Sequence, residues 1–517
     1  MSFISFKFII FLLIVLVLYY IVPKKYQWVF LLAVSYVFYL FSGLKPLIFI
    51  LLTTLTTYGG ARWMENIKQK SSVKKSEAKS KNRRVLILLA VLNFGILGML
   101  KYYNFFAKQI DSLFGLFKYD VSMPLVNIVL PLGISFYTFQ AIGYCIDVYR
   151  GKYHAETNLL RHALFISFFP QIIQGPISRY DDLGKQLREY HYFSYKNFTY
   201  GAQLMLWGFF KKLVIADRAG VLVSQVFSDP GSYDGLQTFV AFGIYAIQIY
   251  ADFSGGIDIA RGAAEMAGID LIENFRRPYF GTSVAEYWRR WHMSLTNWMK
   301  DYVFFPIALS KRSARIGRWA RKNMKKGSKI AKQLPTYFPT FVTFFLIGIW
   351  HGAGWGYIVY GLYNSIIIVG SMALTPAFDK MKGGLHINDK SFAWKCFCIA
   401  RTFLIMMYGK AIVRASSVGA AVSMMKNTLG MFHFADFVSR MTSMGLTGRN
   451  LVVLFGACVI FFIVSVLQEN GITIRDALSK KPLALRWAVL LCIFTITVVF
   501  GVFGEGYNAS AFVYRNF

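Results

Sequence analysis

Acidic residues are what this chain has least of. Its 517 residues include 57 Lys and Arg but only 25 Asp and Glu, and charges of both signs make up 16%, against about 25% in soluble domains. That density cannot cover a water-facing surface, which excludes an ordinary soluble enzyme. With 56% hydrophobic and 18% aromatic residues and a mean hydropathy of +0.45, the composition is that of an all-α polytopic membrane protein. At about 20 residues per crossing, the apolar runs predict roughly ten to twelve transmembrane and re-entrant helices.

Cysteine is sparse too. Cys145, Cys396, Cys398, Cys458 and Cys492 are odd in number, lie in or beside apolar runs and lack metal-ligand spacing. They read as buried thiols. A serine elbow, a P-loop and the H-E-x-x-H spacing are also missing. His292 and His351 could be two metal ligands, but no third is apparent, so no metal is expected. The N-terminus has neither a basic leader nor an A-x-A-like site, so Phe3–Val22 reads as a retained first span.

The net charge of +32 would suggest nucleic acid in a soluble protein. Here it is gathered between apolar runs. Arg62–Arg84 holds nine Lys and Arg against Glu65 and Glu77, and Lys311–Lys332 holds ten and no acid. The partner implied is the lipid bilayer, with no nucleic acid. Both segments are expected to be cytoplasmic, which puts the N-terminus outside.

One integral membrane domain, 1–517, is predicted, with N-terminal helices (1–125), a core (126–375) and C-terminal helices (376–517). Phe3–Val22, Trp28–Phe41, Leu47–Gly60, Val85–Met99 and Val126–Ile146 read as spans, with Tyr102–Tyr119 an interfacial helix. Ala163–Ile173 is too short to cross and runs into Gly175-Pro176, so it reads as re-entrant. Phe198–Phe210 is interrupted by Lys211-Lys212, and Phe239–Tyr250 by Ala251–Gly256. Phe392–Tyr408, Leu451–Leu467 and Trp487–Phe503 are the last spans.

Thr282–Lys300 reads as one helix, opened by a Ser283/Glu286 capping box. Trp288, Trp291, Leu295 and Trp298 share a face, and Arg289, His292 and Thr296 an adjoining one. Pro339–Gly361 (PTFVTFFLIGIWHGAGWGYIVYG) carries His351 deeper in an apolar run than any other titratable residue, just before Gly352, Gly354 and Gly356. An ionisable group at that depth is costly and is a functional candidate by default. Neutral imidazole has the basicity to take a proton from a hydroxyl near pH 7. Of the other histidines, His154, His162 and His191 read as surface groups, His386 as a linker residue and His433 as interfacial. Asp252 and Asp258 supply a competing reading, an ion-coupled transporter, unless one of these acids pairs with Arg261 or caps a helix broken at Ser254–Gly256. A non-catalytic scaffold for a glycan complex is a third.

Seven segments in order, PLGISFYTFQAIGYCIDVYRG (131–151), FFPQIIQGPISRYDDL (168–183), GFFKKLVIADR (208–218), QIYADFSGGIDIARG (248–262), NFRRPY (274–279), YWRRWHMSLTNWMKDYVFFP (287–306) and GIWHGAGWGYIVYGL (348–362), resemble the membrane-bound O-acyltransferase family. The likeness is to its bacterial branch of alginate O-acetylation and teichoic acid D-alanyl transfer. The C-terminal residues Phe512–Phe517 loosely resemble the aromatic tail of the alginate type. The resemblance implies a ring of helices around a tunnel joining a cytosolic acyl thioester to an extracytoplasmic acceptor. It implies catalytic roles for His351 and His292, with Trp288, Trp291, Trp350, Arg289 and Asn274 binding substrate or lining the tunnel. The implied function is O-acylation of a cell-surface or exported polysaccharide. Acetyl-CoA is the implied donor substrate, with no bound cofactor, and an extracytoplasmic acetyltransferase or acceptor-carrier protein the implied partner, all at a bacterial plasma membrane. D-alanyl transfer to teichoic acid is the alternative within the branch.

Overall fold

The computed structural model describes residues 3–70, 74–119, 122–127, 130–325, 327–430 and 432–503. The tail at 512–517 lies outside them. Among the described residues two compact units emerge: 3–208 with 256–272, and 209–255 with 273–503.

In the first unit, α1 (Phe6–Ile21), α2 (Gln27–Leu40) and α3 (Leu44–Gln69) follow the apolar runs. The separate interfacial helix expected at Tyr102–Tyr119 does not form. Instead, α4 runs unbroken from Lys75 to Leu116, because no proline interrupts it. The next helix, α5 (Ile134–Arg150), begins later than the apolar run from Val126, after Gly133 at φ +70. A β-carbon there would strike the carbonyl of Ile172, so the turn requires glycine. Ala163–Ile173 forms no long helix: α6 (Leu159–Ser167) stops at Phe168 and is too short to cross a bilayer. His162 is not a surface group. It is fully buried, with Nε2 3.0 Å from the Thr57 hydroxyl.

The unit closes on α7 (Tyr195–Phe209) and the end of α9 (Gly235–Met266). Gly201 and Gly262 bring these helices backbone to backbone, since a β-carbon on either would meet the other's carbonyl oxygen. Such small-residue contacts suit membrane helices, where close packing replaces the hydrophobic drive.

In the second unit, Lys211-Lys212 does not interrupt the helix. A π-turn at Phe210–Ala216 carries the chain into α8 (Asp217–Ser228) and turns both lysines inward. Lys212 Nζ lies 2.6 Å from Asp252 and 2.8 Å from Asp217, and Lys211 donates to the Ser254 hydroxyl at 2.9 Å. The expected break at Ala251–Gly256 is likewise absent, and α9 passes straight through it. No broken helix is therefore there to be capped, and Asp252 pairs with Lys212; the Nε of Arg261 donates to the carbonyl of Leu271.

Thr282–Lys300 is two helices, α10 (Val284–Arg290) and α11 (Met293–Met299), with the chain breaking between them. Beyond them, α12 (Lys311–Asn323) turns the small residues Ser313, Gly317 and Ala320 inward. It leaves its six cations exposed with Trp319. A hairpin follows, α13 (Lys329–His351) and α14 (Trp355–Ala373). Gly348 and Gly361 meet within it so closely that a β-carbon on Gly348 would collide with the Gly361 backbone. After α15 (Thr375–Gly384) come α16 (Phe392–Arg414), α17 (Gly448–Glu469) and α18 (Leu483–Phe500). The guanidinium of Arg218 on α8 donates to Asn450 on α17 and to the carbonyl of Phe500 on α18.

Among the described residues, seven helices are long and apolar enough to cross a membrane: α3, α4, α9, α14, α16, α17 and α18. The chain is an all-α polytopic membrane protein.

Candidate functional site

His351 is the last residue of α13. The chain leaves the helix there because Gly352 and Gly354 are extended, and Gly352 faces the Tyr357 ring so closely that a β-carbon would overlap it. The imidazole is buried, with ring centres at 5.0 Å from Trp350 and 6.3 Å from Tyr360.

His292 occupies the break between α10 and α11, in the left-handed region at φ +46. Few residues other than glycine accept that conformation, and where one does the surroundings must hold it there. Asn274 is the holder. Its carbonyl oxygen accepts the N–H of Met293 at 2.9 Å, and its side-chain Oδ1 accepts the N–H of Ser294 at 2.9 Å. The same Oδ1 lies 3.3 Å from His292 Nδ1.

This geometry fixes a tautomer. A backbone N–H can only donate, so the Asn274 atom that meets Ser294 is the oxygen, and His292 Nδ1 must donate to it. The lone pair of the neutral ring then resides on Nε2. His292 stands outside the candidate spans and is wholly buried; burial pushes its pKa down to about 3. The ring is therefore neutral throughout the physiological range.

Trp350 joins the two histidines, its ring 5.6 Å from His292 and 5.0 Å from His351. Phe253 closes the other edge of His292 at 4.8 Å. Trp288 donates through Nε1 to Asn364 Oδ1 at 3.0 Å and packs 6.5 Å from Tyr360, which in turn touches His351. Trp291 stacks on Tyr287 and meets Phe275 at 5.0 Å. Trp350 and Asn274 thus touch the imidazoles directly and Trp288 reaches His351 through Tyr360, whereas the ring of Trp291 packs on Tyr250, Phe275, Tyr279 and Tyr287. Arg289 is not part of this cluster, for it is exposed, while Arg290 bridges Glu286 at 2.7 Å and Glu469 at 2.9 Å.

The capping box forms with one change. Ser283 accepts the N–H of Glu286 at 3.1 Å, but the Glu286 carboxylate reaches back to the Thr282 N–H and hydroxyl.

Sequence reasoning missed Lys410. It lies on α16, buried, with its ammonium 3.5 Å from the centre of the Trp291 indole. Lys211, Lys212 and Lys410 are each as deeply buried as His351, so His351 is not alone in its depth. The signal for Lys410 was a cation inside the apolar stretch Thr402–Val413 of α16, two residues past the assumed end of the Phe392–Tyr408 run. Among the described residues no group of three or more His, Cys, Asp or Glu is placed to hold a metal ion.

Fold and site together define a membrane-embedded protein that buries two histidines against one indole. Residues 154–320 match the model of the membrane-bound O-acyltransferase family. The chain is 33% identical over 451 residues to the probable alginate O-acetylase AlgI of Pseudomonas putida, covering 86% of this chain and 83% of the relative. It is 26% identical over 470 residues to the peptidoglycan O-acetyltransferase of Helicobacter pylori, covering 84% and 82%. With the teichoic acid D-alanyltransferase of Bacillus subtilis it shares 30% identity over 247 residues, 47% of this chain and 60% of that one. The chain belongs to the membrane-bound O-acyltransferase family and is an acyltransferase.

Proposed function

We propose that this enzyme transfers an acetyl group from a cytosolic thioester, acetyl-CoA, to a hydroxyl of a cell-surface or exported polysaccharide, at a bacterial plasma membrane. An extracytoplasmic acetyltransferase or acceptor carrier completes delivery to the polymer. His351 acts as general base. It takes the proton of the acceptor hydroxyl, the oxygen attacks the thioester carbonyl, the C–S bond breaks and the thiolate leaves to be protonated. Neutral His292, with its lone pair on Nε2, orients the thioester or the acceptor, and Trp288, Trp291 and Trp350 wall the space around them.

The observation that carries this reading is the pair of buried imidazoles on one indole, at 5.6 and 5.0 Å, in a chain similar over most of its length to an alginate O-acetylase. The transporter reading loses one of its two candidate acids because Asp252 is bound to Lys212. D-alanyl transfer is the second reading, favoured by the similarity to a teichoic acid D-alanyltransferase.

The test incubates purified protein with radiolabelled acetyl-CoA and a polysaccharide acceptor. Label should move to the polysaccharide with the native chain and not with His351→Ala, expressed at the same level. Transfer from a D-alanyl thioester but not from acetyl-CoA would favour the second reading. Undiminished transfer by His351→Ala would remove the general-base assignment.

A further inference from the structure

A cavity of about 590 Å³ opens between α16 and α17 in the second unit. Its floor is Ile247 and Tyr250 of α9 with Tyr279 and Phe280, and its walls include Phe403 and Phe461. The volume lies inside the range of roughly 300–1,000 Å³ typical of ligand sites. On α17 the lining runs from Cys458 to Glu469, a rise of roughly 16 Å. That is about half the thickness of the hydrocarbon core, the depth of a single lipid leaflet.

One end is polar. Arg277, Lys395, Glu469 and Asn470 stand there, two cations to one carboxylate. Glu469 is already shared, at 2.8 Å from Arg277 and 2.9 Å from Arg290, while Lys395 is exposed. The mouth is thus net positive with a guanidinium fork beside it, suited to a phosphate. Arg277 is fixed there in the left-handed region at φ +45.

The charged end faces the same side as the basic segment 311–332. Lys329, which opens α13, pairs with Asp379 of α15 at 2.6 Å, and α16 begins just beyond α15. Tyr363 of α14 donates to Ile405 of α16 at 2.8 Å, so α16 then runs back beside α14. By the positive-inside rule this is the cytoplasmic side, where the leaflet carries anionic lipid.

We infer that this cavity is a binding site for an anionic glycerophospholipid of the cytoplasmic leaflet, one acyl chain lying along Phe403 and Phe461 and its phosphate at Lys395 and Arg277. The inference is independent of which acyl group the enzyme transfers. Tyr250 and Tyr279 each touch the bound chain on one side and Trp291 on the other, at 6.0 and 6.4 Å. The lipid therefore packs against the wall that precedes His292.

The full-length protein is reconstituted with phosphatidylglycerol or phosphatidylcholine carrying a photoactivatable group on one acyl chain, and labelled peptides are mapped. Labelling of 392–403 and 458–470 by the phosphatidylglycerol probe should exceed that of 483–500, on α18, at least fivefold. Ala400→Trp, which fills the cavity from an exposed position, should remove that excess. Lys395→Glu should lower labelling by phosphatidylglycerol at least threefold and leave labelling by phosphatidylcholine unchanged. Equal labelling of α18 and the cavity, an excess that survives Ala400→Trp, or no preference between the two probes would overturn the assignment and leave only annular lipid.

Discussion

The ammonium of Lys410 lies 3.5 Å from the centre of the Trp291 indole, with the rings of Tyr279 and Tyr287 at 5.4 and 5.7 Å. Three aromatic faces turned toward the Lys410 nitrogen replace the water it gave up on burial. Such an interaction stabilises by about 1–2 kcal/mol when desolvated. Removing the indole should therefore be worse than removing the charge. Trp291→Ala should unfold at a markedly lower temperature in detergent than Lys410→Met, which keeps the side-chain volume. A double-mutant cycle should return a coupling of about 1–2 kcal/mol. A coupling near zero would mean that the contact holds nothing.

His292 makes stability depend on pH. Its pKa is pushed down by burial from 6.5 to about 3 in the folded chain, so the unfolded chain takes up the proton first. The stabilisation is complete above about pH 6.5 and is lost progressively as pH falls toward 3. At pH 5 the loss is about 2 kcal/mol. His292→Gln removes this titration. Between pH 7.5 and 5 the native chain should therefore lose about 2 kcal/mol more than the variant. Parallel losses would show that His292 is protonated while folded.

Lys212 answers two carboxylates, Asp217 and Asp252. Lys212→Met takes away the ammonium that both acids share and leaves the buried Asp252 beside the half-buried Asp217, whereas Asp252→Asn leaves Lys212 with Asp217. Breaking a buried pair from one side costs about 3–5 kcal/mol. Lys212→Met should lower the unfolding temperature more than Asp252→Asn. Adding Asp252→Asn to Lys212→Met should recover part of the loss. The reverse order of severity would mean that Asp217 alone sets the state of the cluster.

Gly348 lets α13 and α14 touch. A single added methyl group falls on the Gly361 backbone, which no rotamer change relieves. Overpacking of this kind costs about 1–3 kcal/mol for small insertions. Gly348→Ala should lower the unfolding temperature, and Gly348→Val should leave little monodisperse protein by size-exclusion chromatography. Native-like behaviour of Gly348→Val would mean that the hairpin is looser than this contact.

Much of this architecture is written locally. Apolar runs give the long helices, and the Gly352 and Gly354 break ends α13 where the pattern WHGAG suggests. Errors arise where a distant residue overrides a local signal. Lys211-Lys212 looks like a stop until the acids of Asp217 and Asp252 are counted, the second 40 residues away. Trp288, Trp291, Leu295 and Trp298 fit one helix perfectly well; the break at His292 is imposed by Asn274, 18 residues upstream. His162, beside Arg161, reads as a surface group yet is buried, because its partner Thr57 is on another helix. The two histidines stand out in the sequence, but the indole that touches both could be recognised only once the helices had packed.

With 42 residues, α4 is about 63 Å long, twice the roughly 30 Å of hydrocarbon. Even tilted by about 40°, it spans about 48 Å along the membrane normal. One or both of its polar ends, Lys75–Arg84 and Tyr102–Leu116, must stand in the headgroups or in water. Such a helix is indifferent to bilayer thickness, since it can slide without stranding an apolar residue. The 18 residues of α18, about 27 Å, have no such reserve. Sensitivity to a thick or a thin membrane should thus reside in α18, the shortest of the seven candidate spans among the described residues, and not in α4, the longest.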